Sequence, residues 1–395
     1  MKLSHMIGIA GLLIALHPRM FAGTHGETAP LITRIDGPVS VPAEIAGHAM
    51  FVNVMVNGRG PFRFMVDTGC SFTLVSTEVA EAVGAIVQDQ DEEAIVAQNG
   101  LGDLTDVPRV ALGTINLGGV YFEGVPAVVS DSLEKLSLIG GGRVDGALGF
   151  PLFSDLFLGL DFPNHRVLLS SKWPQNVPTV RATLPVIERA DVPVVQVRIQ
   201  GKPVDVMIDT GANQALQLPV ELASSFQWKE TPRMGPLVAV LGEVGREGIG
   251  RLAGDLELGS LQQVEPIAVI STGSPSIGLR SLERFCVVFQ RATNRVWLCS
   301  ADSAPIQPTP ERSSGLSLYA DPGGWRIAGV IPGSPAAEAH LTSGSLVTQI
   351  ENKPAIAWTR DQMDQWIDSH AAIALVVAEK SGERALSLSA WNLVP

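Results

Sequence analysis

The sequence predicts a mainly β protein, and three observations carry that prediction. Glycine and proline number 40 and 27 in 395 residues, against only two tyrosines, which suits short strands joined by turns better than a helical bundle. Period-two alternation recurs in short runs, as where Val52, Val54 and Val56 are separated by Asn53 and Met55. The chain also repeats itself: Asp67-Thr68-Gly69 and Asp209-Thr210-Gly211 lie 142 residues apart, about the length of one small domain.

Composition narrows the function classes. A hydrophobic content of 46% with 17% charged residues fits a packed chain rather than a disordered one, and 395 residues are enough for two to three domains. The net charge of −12, without a basic patch to offset it, argues against nucleic acid as a partner and is read as a source of solubility. Residues 1–23 read as a signal peptide. Lys2 precedes an apolar stretch from Met6 to Leu16 that is shorter than the roughly 20 residues a membrane helix needs, and Phe21-Ala22-Gly23 offers small residues for cleavage. The expected location is therefore exported, periplasmic or secreted. An uncleaved segment would instead anchor the chain to a membrane, and it is the only basis here for a membrane contact.

The elements follow in order. In the first copy, the alternating run to Val56 meets a turn at Asn57-Gly58-Arg59-Gly60, and a strand from Phe62 to Val66 leads into the first triplet. Ser76 is placed to cap a short helix through Val83 that stops at Gly84. In the second copy, Val195, Val197 and Ile199 alternate with Gln196 and Arg198. A turn at Gln200-Gly201-Lys202-Pro203 follows, and the strand Val204 to Ile208 leads into the second triplet. Downstream come Asp145-Gly146-Ala147-Leu148-Gly149 in one copy and Ser276-Ile277-Gly278 in the other. Terminal hairpins at Leu160 to Leu169 and Val288 to Leu298 close the two copies. Residues 301–313, rich in Pro, Ser and Ala, read as a linker, and 314–395 as a third unit.

Two aspartates in two copies of one context suggest a face-to-face carboxylate pair, which can share a proton and activate water without a metal. An apolar pair, Asp-Thr-Gly, and then an apolar-apolar-Gly element some 70–80 residues on, at Leu148-Gly149 and Ile277-Gly278, resemble the retropepsin-like aspartic proteases. The resemblance covers roughly residues 35–300. It implies two acid-protease lobes fused as a pseudo-dimer, 35–172 and 180–300, with Asp67 and Asp209 as the catalytic dyad of an aspartic-type endopeptidase acting on peptide or protein substrates. It further implies that Thr68 and Thr210 tie the two loops together, while Gly69 and Gly211 let the loops approach. In the family a glycine-rich flap from each half closes the cleft; Gln98-Asn99-Gly100-Leu101-Gly102 and Leu241-Gly242-Glu243-Val244-Gly245 are the candidates. Cys70 and Ala212 stand where related enzymes often carry Ser or Thr, so neither supplies a hydroxyl to the carboxylates. Dyad pKa values above those with hydroxyl neighbours are expected, with activity reaching toward neutral pH.

The C-terminal unit, 314–395, resembles a PDZ domain through Val330-Ile331-Pro332-Gly333-Ser334-Pro335-Ala336-Ala337, followed by Leu341, Gly344 and a strand Leu346 to Ile350. The resemblance implies that Gly315, Leu316, Ser317 and Leu318 form a loop for a peptide C-terminus and that Asp361 to Ile367 form the helix walling the groove. His340 and Ser345 depart from the bacterial pattern, which usually has Gly and Asp there.

Three cysteines complete the inventory. If Gln290 pairs with Arg295, Cys286 falls directly opposite Cys299, a geometry open either to a disulfide or to two reduced buried thiols. No His-Glu-x-x-His, no Gly-x-Ser-x-Gly and no phosphate-binding loop occurs, so no metal and no cofactor is expected. Two readings stand beside the peptidase. One is a peptide-binding scaffold whose dyad no longer cleaves, and the other a regulator in which the PDZ-like unit gates the dyad.

Overall fold

The computed structural model describes residues 31–395 apart from 48, 88–94, 99–103, 131–132, 134–135, 138–141, 190, 241–242 and 381, together with the short strand Ala15–Leu16. Apart from those two strand residues, the expected signal segment, 1–23, lies outside the described residues. Strand outweighs helix, 53% to 13%, and the fold is mainly β with a barrel, as the turn-rich composition predicts. No helix among the described residues is long and apolar enough to cross a membrane.

The two hairpins that lead to the aspartates are built alike. Strands Ala49–Val56 and Arg59–Asp67 are joined through Asn57 and Gly58, with φ of 49° and 73°. Strands Val192–Ile199 and Lys202–Ile208 are joined through Gln200 and Gly201, with φ of 50° and 77°. Two successive positive φ values match the twist of a two-residue hairpin, so each turn fixes the register of its strands. The alternating side chains Val52, Val54 and Val56, like Val195, Val197 and Ile199, are all buried in one continuous core that runs through both halves.

The same strand path then occurs twice. Gly146–Gly149 lies parallel to the first aspartate strand, with Gly149 beside Asp67, and Thr73–Val75 runs antiparallel to it. Ser276–Ile277 lies parallel to the second, with Ile277 beside Ile208, and Leu216–Pro219 runs antiparallel to it. Ser76 accepts the Val79 N–H at 3.2 Å and caps helix Thr77–Ala82, which gives way to Gly84 at φ 62°.

The two halves share one sheet. Hairpin Phe157–Asp161 with Arg166–Ser170 and hairpin Cys286–Gln290 with Arg295–Cys299 meet edge to edge, Phe157 opposite Gln290 and Asp161 opposite Cys286. Val39–Pro42 and Val180–Arg189 flank the four strands. Cys286 and Cys299 are directly opposed, as the pairing of Gln290 with Arg295 requires, but they are not bonded. Both are free thiols packed with Leu168 and Val288, and burial pushes Cys286 far up and Cys299 up to about 11. Bond formation proceeds through the thiolate, which this apolar setting suppresses.

Residues 301–313 do not float. Ile306 exchanges backbone hydrogen bonds with Gln262 and Val264, and Glu311–Ser313 pairs with Trp391–Val394. The C-terminal unit has its own core around Leu316, Leu318, Trp325, Ile327, Met363 and Leu375. Its strand Leu316–Asp321 sits at one edge of an antiparallel sheet. Ser334 caps helix Pro335–Glu338, and Thr359 with Gln362 forms a capping box on helix Arg360–Ser369. His340, just past the short helix, holds φ 56°, which explains why glycine would be the easy residue there.

Candidate active site

Asp67 ends one hairpin strand, and Asp209 directly follows the last residue of the other, Ile208, so each carboxylate sits at a fixed edge. The loops that follow are locked by reciprocal hydrogen bonds. The Thr68 N–H donates to Thr210 Oγ1 at 3.0 Å, and the Thr210 N–H donates to Thr68 Oγ1 at 3.1 Å. The Thr68 hydroxyl continues to the Ile208 carbonyl at 2.6 Å, and the Thr210 hydroxyl to the Val66 carbonyl at 2.9 Å. All four bonds cross from one half to the other and are buried, where an unmade bond costs about 1–3 kcal/mol.

This lock brings the carboxylates to the partner glycines. A β-carbon on Gly69 would lie 2.4 Å from Asp209 Oδ1, and one on Gly211 would lie 2.5 Å from the Asp67 carboxyl carbon. Glycine is required here by proximity, not by torsion. Each aspartate also accepts the N–H of its own glycine, Gly69 to Asp67 Oδ1 and Gly211 to Asp209 Oδ1, both at 2.9 Å. Beneath them, Gly149 and Gly278 pass so close to carbonyls that added β-carbons would lie 2.2 Å from Phe72 O and 2.3 Å from Gln214 O. The Phe150 N–H to Cys70 O and the Leu279 N–H to Ala212 O, 2.9 and 2.8 Å, fasten the loops to those glycine strands.

Both carboxylates are fully buried, and burial is the main reason their pKa values rise. Asp67 is pushed well above the usual range, first by desolvation and then by the charge of Asp209. Asp209 is pushed up to about 6 by burial, held back by the Gly211 N–H, the Asp67 carboxyl and the Ala212 N–H. Two acids this close cannot both ionise easily, so the pair holds one proton across a broad pH range. Asp67 Oδ2 is buried and, among the described residues, accepts no N–H or O–H from outside the carboxyl pair. The Cys70 thiol donates to the Phe72 carbonyl at 3.0 Å rather than to a carboxylate, and Ala212 is fully buried.

The other residues that the sequence singles out fall elsewhere. The central residues of the first flap candidate, 99–102, lie outside the described residues, as do 241–242 of the second. Their flanking strands nonetheless pair as hairpins, Ile95–Gln98 with Leu104–Val107 and Arg233–Val240 with Glu243–Arg251. Gly315 (φ 84°) precedes the edge strand of the C-terminal unit, and Leu316, Ser317 and Leu318 start it, paired to Val330, Gly329 and Ile327. No cluster of three or more potential metal ligands exists among the described residues. A cavity of about 400 Å³ lies away from the carboxyl pair, where Lys229, Arg233 and Arg251 face Leu393 and Val394.

Glu247 is not marked by any motif in the sequence. It lies on strand Glu243–Arg251, is 7% exposed, has Oε1 unpartnered, and burial alone pushes it up to about 8. The one signal for it is period two: Glu247 shares a strand face with Ile249, which is buried in an apolar cluster.

This geometry has consequences for stability. Gly69→Ala and Gly211→Ala will each destabilise the fold by about 1–3 kcal/mol in urea titrations, because a carboxylate must move. Gly58→Ala, at φ 73° but with open space around it, will cost about 1 kcal/mol. Because the folded pKa of Glu247 is raised, its contribution is present below its ordinary 4.5 and lost as pH rises through about 8. Glu247→Gln will therefore match the parent near pH 4 and exceed it near pH 9, by up to about 5 kcal/mol, in denaturation at the two pH values.

Residues 52–152, which hold most of the first hairpin, the Asp67 loop and the Gly146–Gly149 strand, match the family model described as Aspartyl protease. No curated protein matches the chain. The first half is thus similar to an aspartyl protease domain over a stretch that includes Asp67, its cross-loop threonine and its glycine strand.

Proposed function

We propose that this chain is an aspartic endopeptidase in which Asp67 and Asp209 activate one water molecule between them. The observation that carries the reading is the reciprocal threonine lock, which brings two buried carboxylates to each other's glycines. The repeated strand path supports two retropepsin-like lobes in one chain, roughly 35–172 and 180–300, so that no second subunit is needed for the pair. The family match over 52–152 supports the peptidase class for the first of them.

The chemistry follows from the single shared proton. The ionised carboxylate takes a proton from the water as its oxygen attacks the scissile carbonyl carbon, while the protonated carboxyl donates to the carbonyl oxygen. In collapse of the tetrahedral intermediate the amine leaves with a proton and the two acids exchange roles. Neither a metal nor a covalent intermediate enters. The position of hairpins Ile95–Gln98 with Leu104–Val107 and Arg233–Val240 with Glu243–Arg251 in the sequence supports reading them as flaps over an extended peptide.

The C-terminal unit is read as PDZ-like, with Gly315 to Leu318 at the mouth of a groove for a protein or peptide C-terminus. Its edge strand offers a ladder for strand addition. The N-terminal segment directs export to the periplasm or the exterior, and tethers the chain to the membrane if retained.

Peptide-library digestion by the purified protein tests the reading. Asp67→Asn and Asp209→Asn will each lower cleavage by roughly a thousandfold while binding of a statine-type inhibitor weakens. Undiminished cleavage by either variant refutes the dyad; no cleavage by the parent, with peptide binding intact, identifies a scaffold. The acidic limb of the pH–rate profile will lie near the Asp209 value of about 6, because the base must be ionised. Ala212→Ser, which adds a hydroxyl beside Asp209, will move that limb down by about one pH unit.

A further inference from the structure

Helix Arg360–Ser369 of the C-terminal unit is fastened to both halves of the body. At its first turn, both oxygens of the Asp361 carboxylate accept the Gly47 N–H, at 2.9 and 3.1 Å. Gly47 turns the chain between strands Glu44–Ala46 and Ala49–Val56. Glu44 grips Arg63 through Nε and Nη2, at 3.0 and 3.2 Å. The Arg63 backbone N–H donates to the Asp145 carboxylate at 2.8 Å, and its Nη1 to the Arg143 carbonyl at 2.8 Å. Asp145 immediately precedes Gly146–Gly149, the strand that runs beside Asp67.

The second half reaches the same helix by another route. Gly278 leads directly into helix Leu279–Leu282, whose first N–H is bonded to Ala212 O in the Asp209 loop. The next residue, Arg280, is ion-paired with Glu311. Arg312, beside Glu311, donates to the Asp368 and His370 carbonyls at the end of that helix. Met363 and Ile367, on its inner face, share a core with Leu316 and Leu318 of the edge strand. One helix therefore has a groove strand on one side and, through Asp361 and Arg280, the glycine strand beneath each aspartate on the other.

We infer that Asp361 and Arg280 are positioning residues that couple helix Arg360–Ser369 to the carboxyl pair, so that a ligand at the pair and the state of the C-terminal unit alter one another. The inference rests on the peptidase reading above. Both links are polar: Asp361 meets Gly47 directly, whereas Arg280 reaches the helix through Glu311 and its neighbour Arg312, and a displacement of an ångström breaks a hydrogen bond in either. Such displacement at the helix acts on both glycine strands together, and by thermodynamic linkage the effect runs both ways.

Hydrogen exchange on the full-length chain, with and without a statine-type peptide inhibitor, tests this. Binding is read directly from protection of 67–70 and 209–212. In the parent, inhibitor will slow exchange of the amides in 360–369 by roughly fivefold or more. In the Asp361→Ala, Arg280→Gln double variant the loops will still be protected, but the helix will no longer respond; Arg280→Lys alone, which keeps the charge, will retain the response. Protection of the loops with an indifferent helix in the parent, or a response that survives the double variant, overturns the coupling alone. No protection at the loops, together with no peptide cleavage, overturns the peptidase reading and the coupling with it.

Discussion

Four hydrogen bonds between two threonine loops hold the rest of the structure to its purpose. Thr68 and Thr210 each donate a hydroxyl to a carbonyl in the opposite half and accept the other's amide. Because the bonds are reciprocal, neither loop can shift without breaking partners on both sides. They set the separation of the carboxylates, and that separation makes glycine obligatory at 69 and 211. The strands Gly146–Gly149 and Ser276–Ile277 brace the loops from beneath.

Bringing two carboxyls into a dry site opposes folding, since burial favours their neutral forms. The structure answers with backbone N–H groups rather than with a basic side chain. Gly69 and Gly211 each donate to the carboxylate two residues back, which keeps one member of the pair ionisable. The thiol of Cys70 turns away to Phe72, and Ala212 brings no donor side chain at all. Neither side chain supplies a donor that would counter the rise burial causes. Glu247 follows the same physics on a buried strand face, where burial is the cause of the rise.

The body stays together through a shared sheet and a shared core. Two terminal hairpins pair edge to edge, which removes an exposed edge from each and makes the apolar cluster continuous from Val41 to Leu298. That sheet also fixes Cys286 against Cys299, yet keeps both in surroundings that favour the thiol. The C-terminal unit adds a second core and meets the second half through an apolar cluster of Ile249, Ile331, Leu393 and Val394, while polar bridges such as Asp361 to Gly47 and Arg280 to Glu311 join it to the body elsewhere.

The sequence by itself determined the local elements, because their causes are local. Alternation at Val52 to Val56 and Val195 to Ile199 was readable as strand. The Asn57-Gly58 and Gln200-Gly201 dipeptides were readable as turns, Ser76 as a cap, and the register that opposes Cys286 to Cys299 followed from one hairpin count. The repeat of Asp-Thr-Gly also marked the candidate pair. What only tertiary structure decided were the relations that no local pattern records. The crossing of the threonine bonds, the burial that raises both aspartates, the buried Asp67 Oδ2 and the unbonded thiols belong to this class. Glu247 and the bridges of helix Arg360–Ser369 belong to it as well. Periodicity records which face of an element is apolar, whereas desolvation and hydrogen-bond partnership depend on what another part of the chain places against that face.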